Sequence, residues 1–503
     1  MFYKILILPL LLFTIYSCSS DKNQEEKGSN NILITKVSNF VSNKENIMAF
    51  GHINMFQILS KSDYKKHALI NLIIDPFISK TAALNEKTPV YFAVELSDQN
   101  ISQLNVDDLL NIGNFKPKGF AYSFVAIKDK KEIKKQLEQE VKFKTDDGID
   151  YVQEKNITFA LLDDCIMMMA DLDDQNQVEI SQLKSAVKFM ETGRTSASAS
   201  VSKAMSSKSD LMLSYDMGKS VSAVIKGFNI TTNDIKQLEK DLKGCFNTTN
   251  LNFEDGKIVL TSENFLLPAM SKWRITNQNS KEIVSSLGSG SPAAAIALNI
   301  DVDEIQKIFD AYLASSLSEI ESKLSPKDLI EFNRIKNEGL SSLFNGKFGI
   351  SVFLKNDKFD GIPNINFQLG AGAMLLEKIK EPLEILNSIG FKTETKNNII
   401  YGYNDATNAP GSGSLKLPEG AQDFGNFPMN GFIDFQNLPL DKFVPTEELM
   451  KIIDKLSLLK FKVEEDKFTL EIQFKNKSEN SLAQIINSFI KMDFLSQKKN
   501  ESI

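Results

Sequence analysis

Apolar and polar residues alternate along seven stretches of the first half of the chain: Ile47 to Asn54, Val90 to Leu96, Phe120 to Ile127, Asp150 to Leu162, Leu211 to Asp216, Leu251 to Glu254 and Lys257 to Glu263. Side chains of an extended strand point to alternate faces, so a period of two predicts strands buried on one side. Between them the period lengthens to that of a helix, at Met55 to Lys61, Lys130 to Val141, Val178 to Met190 and Asp234 to Lys243. Asp255-Gly256 separates the last two strands, and this dipeptide favours a tight hairpin turn. The pattern predicts an α+β fold, mainly antiparallel sheet with helices packed on it.

The same order recurs in the second half. Ile53-Asn54 matches Ile300-Asp301 at an offset of 247, and Phe143-Lys144-Thr145-Asp146 matches Phe391-Lys392-Thr393-Glu394 at 248. In the closing strand pair, Leu251, Phe253, Glu254, Lys257 and Leu260 match Phe461, Val463, Glu464, Lys467 and Leu470 at 210. The offset falls once, between about Val152 and Leu211. There the first copy carries extra elements and the small-residue run Thr195 to Lys208, while the second carries Gly411 to Pro428. Matches in order predict a tandem duplication, with related α+β domains at 32–287 and 293–503. Gly288-Ser289-Gly290-Ser291-Pro292 reads by composition as the linker, 288–292.

The N-terminus has a different pattern. Lys4 precedes an apolar run from Ile5 to Tyr16, too short for the roughly 20 residues that a spanning helix needs, so residues 1–17 read as a secretory leader. The run closes on Ile15-Tyr16-Ser17-Cys18, which resembles the lipobox of bacterial lipoproteins, although Tyr16 is bulkier than usual. The resemblance implies that Cys18 carries the lipid and becomes the new N-terminus. Residues 18–31 contain no aliphatic or aromatic residue from Ser19 to Asn30 and are expected to form a flexible tether. The acidic, Ser-rich character of that stretch is similar to the export signal of surface-exposed lipoproteins in the Bacteroidota. With the strand and helix from Ile47 to Ser60 and the strand Pro89-Val90-Tyr91-Phe92-Ala93-Val94-Glu95, the chain resembles a family of uncharacterised Bacteroidota lipoproteins with a large domain of unknown function. The resemblance implies a lipid-anchored outer-membrane location, with surface exposure favoured over a periplasm-facing anchor, and no particular chemistry.

Composition narrows the function further. Hydrophobic residues at 42% and charged residues at 24% are globular values, so a disordered chain is excluded. A net charge of −7, with Arg194, Arg274 and Arg334 as the only arginines, argues against nucleic acid as a partner. Zinc needs three or four ligands, and His52, His67, Cys165 and Cys245 are too dispersed in sequence to form a site. Cys165 and Cys245 are expected to be separate buried thiols rather than a disulfide.

Other motifs each lack a required residue. Gly218-Lys219-Ser220 follows a strand as a phosphate loop would, but Leu213 stands where the first glycine belongs. Gly370-Ala371-Gly372 begins a dinucleotide fingerprint that Leu375 breaks. Asp171 to Asn176 spaces its acids as a calcium loop does, yet Asn176 replaces the turn glycine and Gln182 the bidentate glutamate. Asp301 and Asp303 are expected to cap a helix, and His52 to be a satisfied strand residue. Ile166-Met167-Met168-Met169 reads as a core strand before an adaptable patch, and Thr195 to Lys208 as a loop or short helix before a flap.

The reading is therefore a lipid-anchored, non-catalytic binding or scaffold protein with a protein partner in the bacterial envelope. No catalytic residue, cofactor or metal is expected. The alternatives are a small-ligand lipoprotein with its pocket between the two copies, or a hydrolase using acidic residues, which leave no signature in sequence.

Overall fold

The computed structural model describes residues 32–44, 46–66, 84–85, 88–97, 118–154, 156–172, 178–192, 196–220, 233–242, 244–265, 278–313, 321, 324–354, 363–438, 447–464 and 467–489. These fall into two compact units, one holding the described residues up to Phe253 with Asn264 and Phe265, the other Glu254–Glu263 and the described residues from 278 onward. Both are mixed helix and strand, and the strand pairings given below are antiparallel.

The N-terminal unit contains strands β1 (Ile47–Ile53), β2 (Val90–Leu96), β3 (Gly119–Ala126), β4 (Lys144–Asp146), β5 (Ile149–Glu154), β6 (Ile157–Leu161), β7 (Cys165–Asp171), β8 (Leu211–Asp216) and β9 (Phe246–Glu254). Their spatial order is β9-β8-β1-β2-β3-β7-β6-β5-β4. Its helices are α1 (Ile32–Asn43), α2 (Met55–Lys61), α3 (Lys130–Leu137), α4 (Ile180–Glu191), α5 (Ser196–Met205) and α6 (Asn233–Leu242). Alternation decides the core. Phe50, Tyr91, Ala93, Tyr122, Phe124, Met167 and Met169 share one face of the sheet and pack with Leu33, Val37 and Phe40 of α1, Leu183 and Met190 of α4, and Val201 and Met205 of α5. Met168, between two buried methionines, turns to the other face and is 39% exposed. The methionine run is thus a core strand, and Thr195 to Lys208 contains the short helix α5.

The C-terminal unit contains β10 (Lys257–Phe265), β11 (Ala294–Asn299), β12 (Phe344–Phe353), β13 (Asn364–Ala371), β14 (Lys392–Lys396), β15 (Ile399–Tyr403), β16 (Met429–Asp434), β17 (Leu456–Glu464) and β18 (Lys467–Phe474). Their order is β10-β18-β17-β16-β11-β12-β13-β15-β14. The helices are α7 (Lys281–Ser285), α8 (Val302–Leu313), α9 (Pro326–Glu338), α10 (Ala373–Lys378), α11 (Lys380–Ser388) and α12 (Glu447–Ile453). The chain enters β10 through Asp255-Gly256, where Gly256 takes φ +67° as a tight turn requires.

Residues 288–292, expected to act as a linker, lie inside this unit and are held there. Gly290 N donates to Ser414 O at 3.3 Å, Lys416 N to Gly290 O at 2.7 Å, and Asn408 Nδ2 to Ser289 O at 2.8 Å. Gly288 and Gly290 take φ +99° and +97°, so glycine here supplies left-handed backbone in a fixed turn.

Candidate functional site

The two faces of the C-terminal sheet are unequal in an unusual direction. One row of cross-strand partners runs Leu260, Leu470, Phe461, Gly431, Ile296, Ile350, Phe367, Gly402, one residue from each of eight adjacent strands. The next row on the same face is Ile258, Ile472, Leu459, Ile433, Ala294, Val352 and Ile365. The row on the other side is Ser262, Phe468, Val463, Met429, Leu298, Phe348, Leu369 and Ile400. Ser262 is the one polar side chain in the three rows, and none is charged. All side chains of the second row are half-buried, as are Leu260, Leu470, Phe461, Ile350 and Phe367 of the first, and Ile296 at the centre is 37% exposed. Val463 and Ile400 are covered, and Phe391 packs on Phe367 with ring centroids 6.3 Å apart, closing one end of the face.

The opposite face carries the polar residues and is the one that is occluded. Its central row is Val259, Glu471, Lys460, Phe432, Ala295, Ser351, Asn366 and Tyr403. Ile283 of α7, Leu287, Ala421 and Phe424 pack on it with Ala295, Ala297, Phe432 and Leu458. Buried donors there reach acceptors on the covering segments, while Asn366 Oδ1 is buried without a hydrogen-bond partner. Ser351 Oγ donates to Leu287 O at 2.7 Å, Asn366 Nδ2 to the Leu287 and Asn408 carbonyls, and Asn430 Nδ2 to Ser280 Oγ at 2.8 Å. The recess on this side, among Asp423, Phe427, Lys460 and Glu471, measures about 10 Å³, the space of one water.

Two cross-strand glycine–phenylalanine pairs shape the apolar face. A Cβ on Gly431 would strike the ring of Phe461, and one on Gly402 the ring of Phe367, so each ring lies down over its neighbour's backbone. Aromatic cover of a strand glycine fills the dip that the missing side chain leaves. The surface is therefore levelled, and its ladders already pair the backbone groups of its central strands. A wide apolar surface on a folded chain marks a binding surface, since single exposed apolar residues are ordinary but contiguous ones are not.

The residues singled out from sequence occupy structural positions. Cys18, His67 and Asp173 to Asn176 lie outside the described residues. His52 is fully buried on β1, with Nε2 3.2 Å from Ser209 O and 3.4 Å from Ser209 Oγ, and Nδ1 without a hydrogen-bond partner. Burial holds its pKa below the ordinary value, opposed by the Ser209 hydrogen bond, so the ring is neutral. Ser209 Oγ in turn donates to Asn250 Oδ1 at 3.0 Å. Neighbouring Asp210 turns its carboxylate to Lys61 Nζ and Phe253 N and not to the imidazole.

Lys219 Nζ donates to Ile47 O at 2.8 Å, an intramolecular role. Gly372 precedes α10, where any Cβ would strike the carbonyls of Ser341 and Ser342; close approach explains that glycine. Gln182 accepts from Glu179 N in the cap of α4, and Asp301 accepts from Asp303 N and Glu304 N at the start of α8, as expected of a capping residue. Cys165 and Cys245 are buried thiols not joined in a disulfide, and Cys245 Sγ lies 4.0 Å from Asp241 O. Burial pushes the Cys165 thiol up to about 12, with Asp164 adding to the shift and Lys36 opposing it. Among the described residues no group of three His, Cys, Asp or Glu side chains is placed to hold a metal ion.

No family model matches the chain, and no curated protein matches it. Two crystal structures of a protein named TP0453 are distantly similar. Form IV aligns at 7% identity over 46% of this chain and 80% of that one, with a TM-score of 0.25. Form III aligns at 6% identity over 73% and 91%, with a TM-score of 0.20. Likeness at this level supports nothing about fold or function.

Proposed function

We propose that this chain is a lipid-anchored, non-catalytic binding protein of the bacterial outer envelope, built from two copies of one α+β unit and binding through the apolar sheet face of the second. The observation that carries the reading is the three-row apolar face, left half-open while the polar face is packed away. A chain selected only to fold gains by covering such a surface, at about 25 cal/mol for each Å² of apolar area removed from water.

Duplication is supported by topology. Without the pair β7-β6, the order β9-β8-β1-β2-β3-β5-β4 parallels β17-β16-β11-β12-β13-β15-β14. β9 and β17 end at Glu254 and Glu464, and β10 and β18 start at Lys257 and Lys467, at the offset of 210 read from sequence. The turn from β4 to β5 has positive φ at Asp147 and Gly148, and the turn from β14 to β15 at Asn397 and Asn398.

The apolar face is tested with the neutral dye N-phenyl-1-naphthylamine, whose fluorescence rises on apolar surfaces. The native chain is expected to raise it, and Ile296→Lys with Ile350→Lys to remove most of the rise. The melting temperature should stay within a few degrees, because both side chains are half-exposed. Dye fluorescence unchanged in a folded variant contradicts the reading.

A further inference from the structure

We propose that the occupant of this face is the hydrocarbon of individual lipid molecules, which the sheet holds as a flat carrier surface. The proposal rests on the binding reading above and names the chemistry of the ligand.

Three observations select hydrocarbon. Protein interfaces carry about one hydrogen bond for every 100–200 Å² and concentrate their energy in Trp, Tyr and Arg anchors seated in pockets. Over their eight strands the three rows contain none of those residue types and offer one side-chain hydroxyl, that of Ser262; hydroxyls recur only on the edge strand β14, where Thr393 and Thr395 continue two of the rows. Second, Phe461 and Phe367 lie over Gly431 and Gly402, so the surface is levelled where a protein knob would need a hole. Third, the size fits. Eight strands spaced at about 4.8 Å make a row roughly 34 Å wide, whereas one acyl chain occupies about 15 Å, half the hydrocarbon core of a bilayer. The row has the length of two chains.

The source is individual lipids and not a bilayer surface. A protein that rests on a membrane places Trp or Tyr at the headgroup level and cations toward anionic lipid. The three rows have no Trp or Tyr, and the chain is net negative at −7. Phe391 against Phe367 closes one end, so a chain laid along the row has a defined stop.

The test uses the full chain purified in its native anchored form, with palmitic acid carrying a photoactivatable diazirine. After irradiation, adducts are expected on tryptic peptides containing β11, β12, β17 and β18. Ile296→Lys with Ile350→Lys should lower their yield about tenfold or more, since replacing one apolar side chain under the hydrocarbon weakens binding by a factor of that order. Circular dichroism of that variant should match the native chain; if it does not fold, Leu470→Lys alone is expected to give a smaller loss at the same peptides. A second arm presents the probe only within phosphatidylcholine vesicles. Adducts that need the vesicle and never form with dispersed probe overturn the single-lipid source. Adducts confined to other segments, or none, overturn hydrocarbon as the occupant. If a crosslinker placed on the face then traps a protein in cells, the binding reading survives with a different partner; if it traps nothing, both fall.

Discussion

Lys61→Ala is expected to destabilise the N-terminal unit by about 3–5 kcal/mol, the cost of leaving a buried carboxylate without its cation. The Asp210 side chain is fully inaccessible, whereas Lys61 keeps 24% of its surface. The carboxylate accepts from Lys61 Nζ at 2.8 and 2.7 Å and from Phe253 N at 2.6 Å, and the Asp210 carbonyl accepts from Asn54 N at 2.8 Å. One residue therefore ties the end of α2, the strand end of β1, the entry to β8 and the backbone of β9. The asymmetry in burial sets the order of effects. Removing the lysine strands a charge in the interior, while Asp210→Asn strands only an ammonium that water already reaches. Asp210→Asn should cost less, and the double variant should be more stable than Lys61→Ala alone, as coupled sites require. Chemical denaturation of the four proteins measures this, and a double variant no more stable than Lys61→Ala would remove the stranded-charge account.

Cys18→Ala is expected to abolish labelling by a fatty-acid analogue and move the chain from the membrane fraction to the soluble fraction. The apolar run before it is shorter than a spanning helix, and no helix among the described residues is long and apolar enough to cross a membrane. Attachment in the proposal rests on covalent lipid, worth about 0.8 kcal/mol for each buried methylene, so losing the thiol removes the whole term. Metabolic labelling followed by fractionation decides it, and labelling that persists in the variant overturns the anchor.

The local elements were largely legible. Val90–Leu96 and Leu211–Asp216 have the bounds that alternation predicts, because each strand buries one face against a helix layer or a neighbour. The predicted strand Asp150 to Leu162 is two, Ile149–Glu154 and Ile157–Leu161, and no glycine or proline in the sequence between them advertises the break. Helix α1 was not legible, although Leu33, Val37, Phe40 and Val41 form its buried stripe. Its β-branched residues carry low helix propensity, and packing on the sheet overrides it. At 288–292 composition left the backbone undecided, because glycine and serine suit a loose joint and a pinned turn equally. The apolar face was not legible either. In β17, Lys460, Phe461 and Lys462 alternate as any strand with one core side does, and sequence cannot tell which side will be covered. The row from Leu260 to Gly402 also joins residues up to about 200 positions apart, so only the register of long-range pairing assembles it.

The central claim is that the apolar face meets a ligand in the cell. Benzoylphenylalanine at position 461, whose side chain lies on that face, and at 462, whose side chain lies on the polar face with its ammonium 4.1 Å from the Phe427 ring centroid, tests it with adjacent residues. Irradiation of cells carrying the anchored chain is predicted to give an intermolecular adduct, lipid or protein, from position 461 and none from 462. Equal adducts from both positions, or none from 461 in a chain shown to be folded, would contradict the account.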